Sequence, residues 1–174
     1  MTAPDLQAFH ICLVVRELEP AMETYRKILG VDNWRLREMG TANRIAYGRG
    51  SGQTLELVQP LPTGSGQFHD FLARYGEGVQ HLGFWTPDIR SSVSAALESG
   101  ASLVSAQTDA SGHTAVQLLP ASANPDLSGL RMAAWVDVGV GGCRIEYIGT
   151  EAGEAFFTEW LGTEYRNIVT PPPW

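Results

Sequence analysis

The sequence contains two copies of one unit, in which a short apolar strand with a histidine near its start leads into a helix. In the first copy, residues 9–15 contain His10 and precede a helical pattern over 18–29. In the second copy, residues 79–86 contain His81 and precede a helical pattern over 88–99. Short apolar runs between turn residues are typical of strands, and apolar residues three or four positions apart are typical of helices. The repeat therefore gives the two histidines equivalent positions.

Each copy continues into further short strands, so the chain is predicted to be a single α+β domain of two similar modules. The second module is longer because of an insertion over 107–128, which contains a strand candidate at 114–119. A long insertion in one copy of a repeat is typical of a lid or a binding loop. The predicted segments are the first module (6–60), a linker with a short helix (61–77), the second module (78–150), and a C-terminal helix with a tail (151–174). The tail is predicted to be extended over 165–174.

Composition excludes several classes of function. The 174 residues carry a formal net charge of −7, which disfavours nucleic acid as a partner because phosphate binding needs clustered Lys and Arg. No stretch reaches the roughly 20 apolar residues of a membrane span. The first residues do not form a secretion signal, and two cysteines are too few for a disulfide framework. We therefore expect a cytoplasmic protein that binds neither nucleic acid nor membrane.

Four residues are candidate metal ligands. His10 and His81 lie in the first strand of each half, and Glu56 and Glu146 lie in the last. A carboxylate in an apolar strand is costly unless it is paired, protonated or bound to a metal. A lone histidine on such a strand is more often a core residue, and a lone glutamate is usually solvated. Because the His–Glu pair is repeated, the pattern favours a site of two nitrogen and two oxygen ligands for one divalent cation.

The residues around these candidates resemble the vicinal oxygen chelate superfamily, which includes glyoxalase I, methylmalonyl-CoA epimerase and extradiol dioxygenases. The resemblance covers 6–106 and 129–150 and is strongest to the epimerase branch. It is carried by Phe9-His10-Ile11-Cys12-Leu13-Val14-Val15, Leu55-Glu56-Leu57-Val58-Gln59-Pro60, Gly76-Glu77-Gly78-Val79-Gln80-His81-Leu82-Gly83-Phe84 and Gly142-Cys143-Arg144-Ile145-Glu146-Tyr147. It implies tandem βαβββ modules whose strands form a curved mixed sheet, a cup around a divalent metal. The implied ligands are His10, Glu56, His81 and Glu146.

The resemblance also implies a class of reaction. We expect a metal-dependent isomerase, epimerase or lyase that acts on a small, largely apolar keto or acyl compound through an enolate-type intermediate, with Glu146 and Glu56 as candidate catalytic carboxylates. The separate base of the epimerase has no match, since this sequence has Thr41-Ala42-Asn43-Arg44 at that place. One alternative is an iron(II) extradiol-type dioxygenase that uses His10, His81 and Glu146. Another is a metal-free binding or resistance protein.

Strand alternation predicts which side chains share the face of the ligands. Arg144 would lie beside Glu146 and could either form a salt bridge at the rim or hold a carboxylate, phosphate or enolate oxygen of a substrate. The bound metal could be Zn, Co, Ni, Mn, Mg or Fe, and a homodimer is expected because many such folds pair. The full set of predicted substrate contacts is Arg144, Trp85, Thr54, Cys12 and Trp135.

Overall fold

A computed structural model describes residues 5–107, 125–139 and 142–170, and these form two compact units. The first unit contains Phe9–His81 and Glu164–Thr170. The second contains the described residues of 1–8 and 82–163. The predicted strand at 114–119 and most of the predicted insertion lie outside the described residues.

The first unit has the predicted order of strand, helix and three strands. Its strands are hydrogen-bonded in the order β1-β4-β3-β2, with β1 parallel to β4 and the other pairs antiparallel. A two-residue turn, Ser51-Gly52, joins β3 to β4, and both residues have positive φ, as the tight turns of hairpins require. In chain order, the elements up to Thr86 are β1 (Gln7–Val14), α1 (Leu18–Leu29), β2 (Arg35–Met39), β3 (Asn43–Gly50), β4 (Gln53–Pro60), α2 (Gln67–Tyr75) and β5 (Gly78–Thr86).

The second unit repeats this topology. From Leu82 onward β5 belongs to it, and its strands are ordered β5-β8-β7-β6. The same order of first, fourth, third and second strand occurs in both units, which confirms the predicted α+β fold with repeated βαβββ modules. The further elements are α3 (Ile89–Glu98), β6 (Ser102–Gln107), β7 (Ala133–Asp137), β8 (Arg144–Gly149) and α4 (Thr150–Leu161).

The helix of each module packs on one face of its strands and so fixes which side chains point the other way. In the first unit, Leu18 of α1 packs with Ala46 of β3 and Leu57 of β4. In the second, Val93 of α3 packs with Tyr147 of β8. Because neighbouring strand residues point to opposite faces, Glu56 and Glu146 lie on the face away from the helix.

The C-terminal segment packs on the face of the strands that lies away from the module helices. In the second unit, a Cβ at Gly153 of α4 would collide with the side chains of Trp85 and Ile148, so glycine permits the close packing of α4. A 3-10 helix at Gly162–Glu164 follows. The tail was predicted to be extended over 165–174, and this is wrong for α5 (Tyr165–Ile168). Among the described residues, no helix is long and apolar enough to span a membrane.

Candidate metal centre

Three of the four predicted ligands come together within the first unit. His10 lies on β1, Glu56 on β4 and His81 on β5. The Nε2 atoms of His10 and His81 are 2.9 Å apart. Oε2 of Glu56 lies 3.2 Å from Nε2 of His10 and 3.3 Å from Nε2 of His81. The three residues are only 2%, 5% and 0% exposed.

The register of β1 and β4 explains part of this convergence. These strands are parallel, with His10 beside Thr54 and Cys12 beside Glu56. Residues in register point to the same face, and so do residues two positions apart on one strand. Thr54 is in register with His10, and Glu56 is two positions from Thr54, so His10 and Glu56 share a face. Gly76 precedes β5, the strand of His81, and Gly78 is its first residue.

The charge of the group is set by Glu56. Burial raises the pKa of its carboxyl, but the neighbouring imidazoles of His10 and His81 outweigh burial and hold that pKa below its usual range. The side chain is therefore an ionised carboxylate at neutral pH. A buried anion that faces two imidazole nitrogens attracts a cation.

The donor atoms fit a divalent metal ion. Within the described parts of the chain, Oε2 of Glu56 is buried and forms no hydrogen bond, although a buried oxygen normally has a partner. Metal–ligand bonds of about 2.1 Å at right angles place neighbouring ligand atoms about 3 Å apart, close to the separations in this group. Two imidazole nitrogens and one carboxylate oxygen suit transition metals. His10, Glu56 and His81 form a group that could hold a metal.

Two contacts that the sequence did not predict support this group. The hydroxyl of Tyr47 donates a hydrogen bond of 2.9 Å to Oε1 of Glu56. Nδ1 of His81 is hydrogen-bonded to Oε1 of Gln80, so a neutral imidazole would keep its proton on Nδ1 and leave the Nε2 lone pair for a metal. The Ser51-Gly52 turn was a signal for the first contact, because a tight turn there places Tyr47 opposite Glu56.

The fourth predicted ligand, Glu146, is buried on β8 in the second unit. Its neighbour in register on β7 is Trp135, which is also buried. Arg144 is half-buried at the start of β8. Their roles as metal ligand and as substrate contacts stay predictions.

The other predicted substrate contacts are covered in this structure. Cys12 is completely buried. Oγ1 of Thr54 accepts a hydrogen bond of 3.2 Å from the backbone N–H of Thr170. Trp85 is also completely buried, and its ring packs edge-on against Phe157, with 5.9 Å between the ring centres. Thr54 and Trp85 contact the C-terminal segment here, and their substrate contacts stay predictions.

Comparisons with known proteins identify the group of proteins to which this chain is similar. Residues 9–116 match the family described as the Glyoxalase/Bleomycin resistance protein/Dioxygenase superfamily. No curated protein matches the chain in sequence.

Several solved structures share the fold. Methylmalonyl-CoA epimerase from Mycobacterium tuberculosis is 21% identical, with a TM-score of 0.58 over 86% of this chain and 91% of that chain. A variant of the Streptomyces coelicolor epimerase in complex with 2-nitronate-propionyl-CoA is 17% identical, with a TM-score of 0.59 over 83% and 98%. A variant of 4-hydroxymandelate synthase from Streptomyces coelicolor is 22% identical, with a TM-score of 0.56 over 86% and 50%. At these identities the likeness establishes the fold alone.

Proposed function

The chain belongs to the glyoxalase/bleomycin resistance protein/dioxygenase superfamily, and from this premise we propose that it is a divalent-metal-dependent isomerase, epimerase or lyase. Its substrate would be a small, largely apolar keto or acyl compound. Structural relatives include epimerases and a 4-hydroxymandelate synthase, so the fold is one that enzymes use. The reaction type and the substrate class are our inference.

One observation carries the proposal: the buried group of His10, Glu56 and His81, with an oxygen of Glu56 that forms no hydrogen bond among the described residues. Burying a carboxylate without a charged partner costs several kcal/mol, on the order of 3–5. A metal ion would compensate that cost and would use all three donors. The group therefore favours an enzyme over the metal-free alternative.

The side chains of the group also fit the chemistry of proton transfer next to a carbonyl. When bound, a divalent ion acts as a Lewis acid that polarises a carbonyl oxygen. A carboxylate near that oxygen can then take the adjacent proton and return it to another atom. Glu146 and Glu56 are the two candidate carboxylates for this role. The burial of the group keeps bulk water away from the reacting atoms.

The surroundings of the group favour a small and mostly apolar substrate. Phe9 and Cys12 lie beside the ligands on β1 and are completely buried. The ring of Phe68 lies 6.4 Å from that of His81. Arg144 is the cation that we propose to bind an anionic oxygen of the substrate. The epimerase complex contains a CoA derivative, but the net charge of −7 disfavours a polyphosphate ligand here.

A second candidate function is an iron(II) dioxygenase. Two histidines and one carboxylate are the ligand set of non-haem iron oxygenases, and His10, His81 and Glu56 have this composition. The dioxygenase hypothesis, however, predicts that Glu146 supplies the carboxylate ligand and that Glu56 does not bind the iron. The short distances from Glu56 to both histidines favour the first proposal.

Metal analysis tests the proposal and separates the candidates. Purified protein is loaded with single divalent metals and its bound metal is measured. We expect about one ion per chain, a loss of binding in His10→Ala and His81→Ala, and weakened binding in Glu56→Gln. Glu98→Gln, at the end of α3, is the matched control. Full metal content in both histidine variants would contradict the site, and unchanged content in Glu56→Gln together with oxygen uptake would favour the dioxygenase.

Proton exchange tests the reaction class. The loaded protein is incubated in D2O with small keto and acyl compounds, and loss of the proton next to the carbonyl is followed by NMR. Exchange that needs the metal and is lost in Glu56→Gln or Glu146→Gln is the expected result. No exchange with any compound by a fully loaded protein would count against enolate chemistry. The homodimer and the cytoplasmic location stay predictions.

A further inference from the structure

The buried phenol of Tyr47 lies against the candidate ligand Glu56. Tyr47 is on β3 and pairs directly with Glu56 on β4 in the antiparallel register. Its hydroxyl donates a 2.9 Å hydrogen bond to Oε1 of Glu56. Side chains that pair across antiparallel strands have Cβ atoms about 5 Å apart. The contact is therefore fixed by the sheet itself and does not depend on a mobile loop.

Neighbouring rings hold the phenol in place. The ring of Tyr47 is stacked on Phe9, with 6.2 Å between centres and 9° between planes. The ring of His10 meets it edge-on at 5.7 Å. Aromatic pairs in these arrangements are favourable beyond their buried area. A tyrosine packed in this way cannot turn its hydroxyl elsewhere without disturbing the ring of His10.

The two carboxylate oxygens of Glu56 have different contacts. Oε1 accepts from Tyr47, while Oε2 faces both histidines at 3.2 and 3.3 Å. A carboxylate that binds a metal through both oxygens occupies two coordination positions, whereas one oxygen occupies a single position. With Oε1 engaged, Glu56 is directed to use Oε2 alone. A metal held in this way would keep one more coordination position for a substrate oxygen.

We propose that Tyr47 is a positioning residue that holds Glu56 as a one-oxygen metal ligand. The inference rests on the proposed metal site. It extends that site by a residue that would act through Glu56 and not as a ligand itself. Gln80 has the corresponding role for His81, since its Oε1 can accept a hydrogen bond from Nδ1–H and so orient Nε2. Such outer partners commonly change metal affinity 10- to 100-fold.

The repeat in the chain gives separate support for the position of Tyr47. In the second unit, the residue paired with Glu146 across the antiparallel strands is Trp135. Both halves thus place a large aromatic side chain with a polar hydrogen opposite the buried glutamate of the last strand. Tyrosine and tryptophan each combine an apolar body with one donor. The same place in both modules therefore carries a large aromatic residue in register with the buried glutamate.

The test uses Tyr47→Phe, which removes one oxygen atom and keeps the ring. Co2+ affinity and the visible absorption of the bound Co2+ are measured for the full chain, with Tyr25→Phe on α1 as the matched control. We expect Co2+ to bind Tyr47→Phe 10- to 100-fold more weakly. Its absorption spectrum should also change, because the released oxygen alters the coordination of the ion. Tyr25→Phe should match the wild type in both measurements.

A double-variant cycle distinguishes positioning from a general structural effect. In a Glu56→Gln background, Tyr47→Phe should change Co2+ affinity far less than in the wild type, since the carboxylate that it positions is gone. An equal loss in both backgrounds would overturn the proposal. Unchanged affinity and spectrum in Tyr47→Phe would also overturn it. Failure of the wild type to bind any metal would instead reject the proposed function, and this inference with it.

A measurement on the wild type alone keeps the proposal testable if Tyr47→Phe does not fold. Infrared difference spectra on metal addition report the separation of the two carboxylate stretching bands, which is wide for one bound oxygen and narrow for two. Bands that disappear in Glu56→Gln belong to Glu56. A wide separation supports one-oxygen binding, and a narrow one overturns it.

Discussion

Glu56 and Glu146 occupy the same position in the two halves of the chain but have different surroundings. Each lies in the last strand of its module, on the face away from the packed helix, and each is 5% exposed. Each pairs across antiparallel strands with an aromatic residue, Tyr47 or Trp135. The repeated topology therefore gives both carboxylates the same burial and the same kind of neighbour.

The two carboxylates differ in the donor atoms of their own unit. Glu56 has two histidine nitrogens within 3.3 Å. The second unit has no histidine among its described residues. Burial and strand position alone thus do not define a ligand, because a metal site also needs donor atoms that converge. The two units also differ in how they contact the C-terminal segment. Trp85 of the second unit packs against the ring of Phe157, whereas Thr54 of the first unit accepts a hydrogen bond from Thr170.

The largest expected effect concerns the ring contact. Phe157→Ala should lower the free energy of unfolding by about 3–5 kcal/mol, because it removes a buried ring that packs on Trp85 and leaves a cavity. Urea unfolding measures the change. Phe156→Ala, at a half-buried neighbour on α4, should cost clearly less. Equal losses in both variants would show that the Trp85 contact is not special.

Acid should release the metal from the first-unit group. Both histidines must be neutral to bind, and an ordinary imidazole pKa is about 6.5. From about pH 7.5 to about pH 5.5 protons compete at both nitrogens, so metal affinity should fall about 100-fold, while the ionised Glu56 keeps its charge because its pKa is lowered. Titrations with Co2+ at several pH values measure this. An affinity independent of pH would mean that carboxylates alone hold the ion.

Glu146→Gln asks whether the equivalent carboxylate is also a ligand. If it is, metal affinity should fall about tenfold, or about 1.4 kcal/mol. Glu159→Gln, at an exposed position on α4, is the control and should bind as the wild type does. Isothermal titration measures both. If Glu146→Gln binds metal as tightly as the wild type, Glu56 is the carboxylate ligand of the site and Glu146 does not have the same role.

Thr54→Val tests the hydrogen-bonded part of the C-terminal contact. The substitution keeps the shape of the side chain but leaves the backbone N–H of Thr170 without this acceptor. We expect a loss of about 1–2 kcal/mol in unfolding free energy, and faster hydrogen exchange over residues 164–170. Thr63→Val, at an exposed position, should cost less than about 0.5 kcal/mol. Unchanged exchange would mean that packing alone holds the segment.

The smallest expected effect concerns the N-terminal caps of the two module helices, α1 and α3. Asp88 caps α3, whereas Glu17 before α1 forms no side-chain cap. Asp88→Ala should lower the free energy of unfolding by about 1 kcal/mol at neutral pH, and Glu17→Ala should have almost no effect. The backbone N–H and the hydroxyl of Ser91 lower the pKa of Asp88. The stabilisation is therefore present above the unfolded-state pKa and is lost as pH falls through the lower folded-state pKa.

Unfolding measured from about pH 7 down to about pH 3 checks the sign of this dependence. The difference between wild type and Asp88→Ala should shrink as Asp88 becomes protonated at the acidic end. A difference that grows on acidification would contradict the role of the carboxylate as a cap.

Local patterns in the sequence were enough to predict most elements and three donors of the group. Alternation in the strand around Glu56 predicted its face, because Leu55 and Leu57 must lie on the opposite one. The repeat predicted that His10 and His81 have equivalent places. The short α5 was missed because four residues carry too little periodicity to identify a helix. Tyr165 and Ile168 are buried, and they belong to the same compact unit as residues 9–81, which are far away in sequence.

The sequence by itself determined the strand–helix–strand order and the residue types of the site, since both depend on neighbours along the chain. Only the tertiary structure decided that Tyr47 donates to Glu56, that Gln80 orients His81, and that Trp85 lies against α4. Each of these contacts depends on strand register or on a segment far away in sequence. A hydrogen bond or a ring contact requires positions accurate to a fraction of an ångström, and alternation fixes only the face on which a side chain lies.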